Sequence, residues 1–309
     1  MENQEHQHHE SHHAGSPEER DYLVRGTALE GKVRAFAVRS TKLVEELRQR
    51  HDTYPTATAA LGRTLTTAAM MGAMLKGEEK LTIQVKGNGP LGQIVADANA
   101  KGEIRGYVDH PHVHLPSNAM GKLDVAGAVG TEGFLYVIKD LGLKEPYRGS
   151  VPIVSGELGE DFTYYFAASE QTPSAVGLGV LVAPDNSVIS AGGLIVQLLP
   201  GLSDEEIGAI EHAISTLPPV SALIDQGLSP EELIKWVLPD VQIQETMDIV
   251  FRCECSRERV ERTLISLGYD EIHAIIEEQG VAEVVCHFCN EAYQFEREDL
   301  EQILEQTRK

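Results

Sequence analysis

All four cysteines of the 309-residue chain lie in two short segments near its C-terminus. The segment RCECS contains Cys253 and Cys255, and the segment VVCHFC contains Cys286 and Cys289. Two close pairs of thiols, joined by a spacer that can fold back, are what a tetrahedral four-thiolate zinc site requires. The spacing therefore predicts one zinc ion per chain. Because four thiolates leave no open position for water, we expect a structural rather than a hydrolytic zinc.

Disulfides and a catalytic thiol pair are the other roles that cysteines could have, and the sequence favours neither. Four cysteines in a chain of this length, without a signal peptide, do not make a disulfide framework. CHFC has the spacing of a thioredoxin-type pair, but that chemistry needs the pair at the start of a helix in a βαβ unit. The flanking segments VAEVVC and EAYQF predict a hairpin whose turn is CHFC. His287, between two of the cysteines, is predicted not to bind the metal.

The cysteine pairs also have features that a redox switch would use. Arg252, Arg257, Arg259 and Arg262 flank the first pair, and nearby cations favour the thiolate form that oxidants attack. The two sulfurs of each pair are close in sequence, so either pair could close a disulfide once zinc has left. A disulfide across CxC makes a very small ring, which predicts local unfolding when it forms. From the residues alone, a purely structural zinc and a redox-switched zinc both remain open.

The acidic charge of the chain is concentrated in its C-terminal third. The formal net charge is −22, and residues 201–309 carry 24 acidic and 8 basic side chains. Such a field repels phosphate backbones, because nucleic-acid affinity depends largely on Lys and Arg. No apolar run is long enough to span a membrane, and the polar first 20 residues lack the apolar core of a signal peptide. We therefore predict a cytoplasmic protein without nucleic-acid or membrane partners.

Composition and hydrophobic pattern divide the chain into four segments. Residues 1–20 are a His-rich leader that is predicted to be disordered. Residues 21–200 mix short strands with helices, one of them apolar on most of its surface, and predict an α+β core domain with a large sheet. Residues 201–252 predict a helical linker, and residues 253–309 a small zinc-binding domain whose folding would draw on about 10–16 kcal/mol of metal binding. The predicted fold class is therefore α+β.

Two motifs of the core domain imitate functional sites. The glycines of GNGPLG, residues 87–92, match G-x-G-x-x-G. That dinucleotide fingerprint needs a helix to begin at the glycines, whereas the residues that follow predict a strand, a turn and a strand. The three histidines of DHPHVHLP, residues 109–116, alternate as metal ligands on a strand would, but Pro111 and Pro116 break the strand and favour an exposed loop. An enzyme centred on these histidines is the weakest functional hypothesis.

Capping signals define the helices of the linker. Ser203 with Glu206, and Ser229 with Glu232, form capping boxes ahead of amphipathic runs, and prolines end both runs. Amphipathic helices of this length are marginal when isolated, so they must pack on another surface. We therefore expect the linker to be metastable and folded only while docked. Its release is predicted to expose isoleucine and leucine side chains together with Trp236.

Several stretches of the sequence resemble one protein family. FRCECS and VVCHFCNEAYQF carry the cysteine signature, and they occur with GNGPLG, RGYV, PYRGSVPIVSGELGEDFTYYFAASEQTPSAVGLGVLV and AGGLIVQLLPG. Together these segments closely resemble the bacterial 33 kDa redox-regulated chaperonin family, a heat-shock protein family. The resemblance runs from about Asp21 to the C-terminus in order and without a large gap. The His-rich leader is not part of the family pattern.

The resemblance implies a holdase, that is, a chaperone that uses no ATP and is not an enzyme. In the reduced, inactive form, zinc would be bound by Cys253, Cys255, Cys286 and Cys289. Under peroxide or hypochlorous acid with mild heat, disulfides would join Cys253 to Cys255 and Cys286 to Cys289, and zinc would be lost. The unfolded C-terminal domain would then free the linker to bind unfolding client proteins, and oxidised subunits would form homodimers. The competing hypothesis is a constitutive binding or scaffold module with structural zinc.

Overall fold

The structure is a computed structural model, and it describes residues 20–307 of the chain. The predicted leader, residues 1–20, lies outside the described residues except for Arg20. Strands and helices are mixed, with most strands in two large sheets, so the predicted α+β class is confirmed. Within residues 20–307 no helix has the length and apolar character needed to cross a membrane.

The regular elements of the described chain are numbered in sequence order. The strands are β1 Tyr22–Ala28, β2 Val33–Arg39, β3 Lys80–Gly87, β4 Gln93–Asn99, β5 Glu103–Val108, β6 Gly133–Asp140, β7 Tyr147–Pro152, β8 Ser174–Val182, β9 Val188–Leu198, β10 Gln242–Asp248, β11 Val250–Phe251, β12 Val281–Val285 and β13 Ala292–Glu296. The helices are α1 Thr41–His51, α2 Pro55–Gly72, α3 Val125–Val129, α4 Gly159–Ala168, α5 Asp204–Ser215, α6 Val220–Asp225, α7 Pro230–Val237, α8 Arg257–Leu267, α9 Tyr269–Glu278 and α10 Arg297–Gln306.

Two sheets enclose helix α2. The five-stranded sheet has the order β10-β1-β2-β9-β8 and the six-stranded sheet the order β11-β5-β4-β3-β6-β7. All neighbours are antiparallel except β11 and β5, which are parallel. Helix α2 contacts strands of both sheets, so its side chains are buried on nearly every side. Its small Ala and Thr residues suit this position, and the hydroxyls of Thr64, Thr66 and Thr67 donate to carbonyls one turn earlier, which satisfies them without water.

The five-stranded sheet is apolar on both faces. Strand β2 therefore has nearly every residue buried, because alternate side chains point to opposite faces and each face is covered. One face packs toward α2, through side chains such as Phe36 and Val38. The other face packs against the linker helices α5, α6 and α7, and its buried side chains are Val24, Val33, Ala35, Ala37, Leu194 and Val196. The linker thus covers an apolar surface of the core.

The linker helices begin where the sequence predicts. The Ser203 hydroxyl accepts from the Glu206 N–H and the Ser229 hydroxyl from the Glu232 N–H, and in each box the glutamate accepts from the serine N–H in return. Polar contacts add to the docking of these helices. The Tyr22 hydroxyl donates to Glu231 at 2.8 Å, and burial together with this carboxylate raises the pKa of Tyr22 to about 12.

Two expectations for the linker are wrong. Residues 242–248 are not helical; they form β10, which pairs with β1 as an edge strand of the five-stranded sheet. Trp236 is already 48% exposed while α7 is docked, because the buried stripe of that helix is formed by Leu233, Ile234 and Val237. Release of the linker would therefore expose these aliphatic residues rather than Trp236. The boundaries at residues 200 and 252 stay predictions.

A buried carboxylate lies where β1, α1 and the end of the linker meet. The Leu43 N–H in the first turn of α1 donates to Asp21 Oδ2 at 2.7 Å, while Asp21 Oδ1 is buried without a hydrogen-bond partner. Burial raises the pKa of Asp21 from 3.8 to about 6. The folded chain thus holds this proton more tightly than the unfolded chain does, so stability from this group is present below about pH 4 and is lost as the pH rises to about 6.

We expect Asp21→Asn to stabilise the protein at pH 7.5 by about 2 kcal/mol, since it removes a buried charge and keeps an acceptor for the Leu43 N–H. Thermal unfolding followed by circular dichroism at pH 5 and pH 7.5 checks this. The variant should gain little on acidification, whereas the wild type should gain more. A variant that is less stable than the wild type at pH 7.5 would show that the charge is needed to cap α1.

Candidate metal centre

The four cysteines come from two loops at one end of the C-terminal segment. Cys253 and Cys255 lie between β11 and α8, whose first turn is capped by the Ser256 hydroxyl. Cys286 and Cys289 lie in the turn between β12 and β13, so the predicted hairpin with CHFC at its turn is confirmed. The backbone folds the turn tightly, because the Asn290 N–H donates to the Cys286 carbonyl and the Cys286 N–H to the Glu291 carbonyl.

The four sulfur atoms form one compact group. All lie within 4.8 Å of one another, with Cys253 Sγ 3.8 Å from Cys286 Sγ and Cys255 Sγ 3.2 Å from Cys289 Sγ. Zn–S bonds of about 2.3 Å in a tetrahedron place sulfurs about 3.8 Å apart, whereas a disulfide requires about 2.05 Å. Among the described residues this is the one cluster of potential metal ligands. Four soft sulfur donors at these separations fit zinc.

The electrostatic environment differs between the cysteines of the cluster. Burial raises the pKa of the Cys253 and Cys289 thiols, so without a metal these groups are held in the neutral form. Burial also acts on Cys255, but hydrogen bonds from the Tyr293 hydroxyl, 3.2 Å from its sulfur, and from the neighbouring thiols lower its pKa overall. A divalent cation would favour the thiolate form of all four groups.

Three of the four arginines that flank the first cysteine pair form ion pairs with carboxylates. Arg252 pairs with Glu103, Arg259 with Glu254, and Arg257 with Asp299. The cation that interacts with Cys253 is Arg105, which comes from β5 of the core. Sequence reasoning missed Arg105. The signal was the RGYV segment, in which Arg105 and Tyr107 share one face of a strand.

The C-terminal segment has a very small apolar core. Its fully buried apolar side chains come from α8, α9, β13 and α10 and are Leu264, Ile272, Ile276, Phe295, Leu300 and Ile303. A core of this size rarely stabilises a domain by itself, and small domains commonly depend on a metal or disulfides. The sulfur cluster holds the hairpin to the loop before α8, so a bound metal would tie together the two ends of this core.

The CHFC turn rests directly on the core domain. Phe288 lies under the guanidinium of Arg105, whose Cζ is 4.0 Å from the ring centroid, and makes an edge contact with Tyr107 at 5.3 Å. The His51 Nε2 is 3.2 Å from the Phe288 carbonyl, and the Asn290 side-chain amide donates to the Arg50 carbonyl at 2.8 Å. The metal centre and the core therefore share an interface.

The other candidate motifs lack the geometry that a dinucleotide site or a metal site would need. Residues 87–92 join β3 to β4 and no helix starts there, as the strand pattern predicts. The three histidines lie in an irregular segment after β5 and have different neighbours, since His112 faces Asp52 whereas His114 contacts Thr56. His287 lies outside the sulfur cluster, with its ring 5.6 Å from that of Tyr107.

Comparison with known proteins gives the family. The sequence profile described as Hsp33 protein matches residues 21–296. The chain belongs to the Hsp33 family. Its relatives in that family include the 33 kDa chaperonin of a Bacillus cereus strain, which is 59% identical over 288 residues, covering 93% of this chain and 99% of that protein. The 33 kDa chaperonin of Halalkalibacterium halodurans is 57% identical over 289 residues, with the same coverage.

The fold agrees with an Hsp33 structure. The crystal structure of the 33 kDa chaperonin (heat shock protein 33 homolog) from Thermotoga maritima superposes with a TM-score of 0.88 at 42% identity. The match covers 93% of this chain and 98% of that one. The family resemblance seen in the sequence is therefore confirmed across nearly the whole chain.

Proposed function

We propose that this chain is a redox-regulated, ATP-independent holdase that binds unfolding proteins and prevents their aggregation under oxidative and heat stress. One observation carries the proposal. Only a few residues of the chain separate the sulfur cluster from the linker, which covers the apolar face of the five-stranded sheet. Cys253 is separated by one residue from β11, which pairs with β5, and β11 follows β10, the last strand of the segment that covers the apolar face. A change at the sulfurs is thus transmitted along a few residues to the linker.

In the reduced state the protein is inactive, and Cys253, Cys255, Cys286 and Cys289 hold one zinc ion per chain. When bound, zinc would keep the four sulfurs as thiolates and tie the hairpin to the loop before α8. Tyr293 orients Cys255 through its hydroxyl. The linker helices stay docked, and the apolar face of the five-stranded sheet stays covered.

Peroxide oxidises each cysteine pair in two steps. One thiolate attacks the O–O bond, forming a sulfenic acid and releasing hydroxide. The neighbouring thiolate then attacks the sulfenic sulfur, forms the S–S bond and expels a second hydroxide. In total two thiolates, one hydrogen peroxide and two protons give one disulfide and two waters, with two electrons passing from sulfur to oxygen. The products would be Cys253 joined to Cys255 and Cys286 joined to Cys289.

Oxidation removes the metal ligands and so destabilises the domain. A sulfur in a disulfide is no longer a thiolate, and the two sulfur–sulfur hydrogen-bond contacts of the folded state, Cys253 with Cys286 and Cys255 with Cys289, join residues of opposite pairs. Closing the bonds within the pairs therefore requires rearrangement of both loops, which the small apolar core does not resist. Loss of this support frees the linker, and the uncovered sheet face and linker helices bind apolar segments of clients. Oxidised subunits pair as homodimers in the cytoplasm.

We expect the reduced protein to contain one zinc per chain and to leave a heat-denatured client, such as citrate synthase, to aggregate. After peroxide at mildly elevated temperature, zinc should be released and light scattering of the client suppressed. A chromophoric chelator measures the zinc in the same samples. Full protection by the reduced protein, unchanged by oxidation, would favour the constitutive scaffold hypothesis instead.

A further inference from the structure

The contact between the CHFC turn and the core has the composition of a ligand site. On one side are Arg105 and Tyr107 of β5 and His51 at the end of α1; on the other is the side chain of Phe288, with His287 beside Tyr107. We propose that this surface of the core is a binding site for an aromatic side chain of a client, and that Phe288 occupies it in the reduced protein. This inference rests on the proposed chaperone function and names one chemical feature of the clients.

The residues of the aromatic platform all belong to the core. Arg105 Nε and Nη2 both donate to Asp97 Oδ2, at 2.9 and 2.8 Å, from the directly opposite position on β4. The Thr82 hydroxyl on β3 holds the other oxygen of Asp97 at 2.7 Å. The guanidinium plane is therefore fixed by three neighbouring strands of the core, and Cys253 of the C-terminal segment adds one further contact to Arg105. A fixed guanidinium binds an aromatic face at a lower entropic cost than a mobile one does.

The site also contacts the backbone of the residue that it holds. The Phe288 carbonyl can only accept a hydrogen bond, so the His51 Nε2 donates to it. An aromatic ring and the carbonyl of the same residue are features that any unfolded chain with an exposed Phe, Tyr or Trp presents. His287 beside Tyr107 and the Asn290 amide on the Arg50 carbonyl add to the contact in the reduced protein. The ring and the carbonyl of Phe288 make their own contacts without these neighbours, which is what a chaperone with many clients needs.

The position of Phe288 on the core depends on the state of the metal centre. Phe288 lies between Cys286 and Cys289, so its position depends on the turn that those cysteines close. It is not part of the apolar core of the C-terminal segment, so it contributes little to holding that segment folded. Oxidation of the two cysteines would withdraw Phe288 and leave the platform free at the moment when client segments bind.

The test uses the full-length, reduced, zinc-loaded Phe288→Ala variant, in which the site is vacant although all four cysteines remain. N-acetyl-phenylalaninamide is titrated and followed by the NMR signals of the Arg105 Nε–H and the Tyr107 ring, with N-acetyl-leucinamide as the matched aliphatic probe. We expect the phenylalanine probe to bind about fivefold more tightly than the leucine probe. In the wild type, Phe288 should block both probes. Phe288→Leu, which keeps an apolar side chain in the turn, serves if the alanine variant loses zinc.

In the Phe288→Ala protein, a second substitution Arg105→Gln should abolish the preference for the phenylalanine probe over the leucine probe. The control substitution Arg148→Gln, at an exposed arginine of β7, should keep that preference. Equal binding of the two probes, or a preference that survives Arg105→Gln, would overturn the inference. Because these measurements use reduced protein, they are independent of the switch. A failed aggregation assay would refute the proposed function, and a missing aromatic preference beside a successful assay would refute only this site.

Discussion

A protein in which Cys286 and Cys289 are both replaced by serine is expected to contain no zinc and to have an unfolded C-terminal segment under reducing conditions. The variant loses two of four sulfur donors, and with them metal binding of about 10–16 kcal/mol that contributes to folding. The six-residue apolar core cannot replace this free energy. Amide hydrogens of residues 257–306 should exchange about 100-fold or more faster than in the wild type, while those of α2 stay protected. The reduced variant should suppress client aggregation without peroxide.

The matched control for this variant is His287→Ala. His287 lies between the same two cysteines but outside the sulfur cluster, so this variant should keep one zinc per chain and respond to peroxide as the wild type does. Zinc analysis and hydrogen exchange on both proteins check the prediction. If the double-serine variant unfolds in this segment yet leaves the client to aggregate, the metal is structural and the switch is elsewhere.

Substitution of Gly179 by alanine is expected to loosen the linker in reduced, zinc-loaded protein. Helix α6 lies so close to β8 that a Cβ atom at Gly179 would be 2.4 Å from the Ser221 nitrogen and 2.8 Å from its Cβ. The clash is with the linker backbone rather than with the core, and its relief must move α6 outward. Overpacking of this kind costs about 1–3 kcal/mol. It also weakens the hydrogen bond from the Ser190 hydroxyl to the Ser221 carbonyl.

Amides of residues 220–237 should therefore exchange about 5- to 100-fold faster in Gly179→Ala, and less peroxide should be needed for client protection. Gly208→Ala is the control within the same linker. Gly208 has open space around it in the middle of α5, so alanine should stabilise that helix by about 1 kcal/mol and leave the response to oxidant unchanged. A Gly179→Ala protein whose linker exchanges as slowly as the wild type would show that linker docking does not depend on this close approach.

Local signals in the sequence predicted the elements whose form depends on near neighbours. The capping boxes at Ser203 and Ser229, the hairpin around CHFC and the buried helix α2 are all determined by residues within a few positions of one another. The four sulfurs could be grouped because their spacing has few other chemical explanations. The spacing alone predicted a zinc site. The prediction that this site is redox-regulated came from the family resemblance, because no residue pattern alone established it.

Elements whose structure depends on residues far away in the sequence were not predicted. Strand β10, QIQETMD, is mostly exposed and polar, so it shows no apolar alternation, and its structure comes from pairing with β1 at the opposite end of the chain. Arg105 lies beside Cys253 because β11 pairs in parallel with β5, with Phe251 opposite Ile104, and this pairing joins residues far apart in the sequence. Trp236 was misassigned because its large apolar side chain suggested burial, whereas the helical spacing places the buried stripe at Leu233, Ile234 and Val237.

The pairing of β1 with β10 also affects how the protein is made. The partner of β1 lies roughly 220 residues further along the chain. Because ribosomes add about 5–20 residues per second, β10 is synthesised on the order of 10–40 s after β1. Cys253 leaves the ribosome soon after that strand, and Cys289 later still. Each newly synthesised molecule therefore passes through a stage with an uncovered apolar sheet before its thiols can collect a metal.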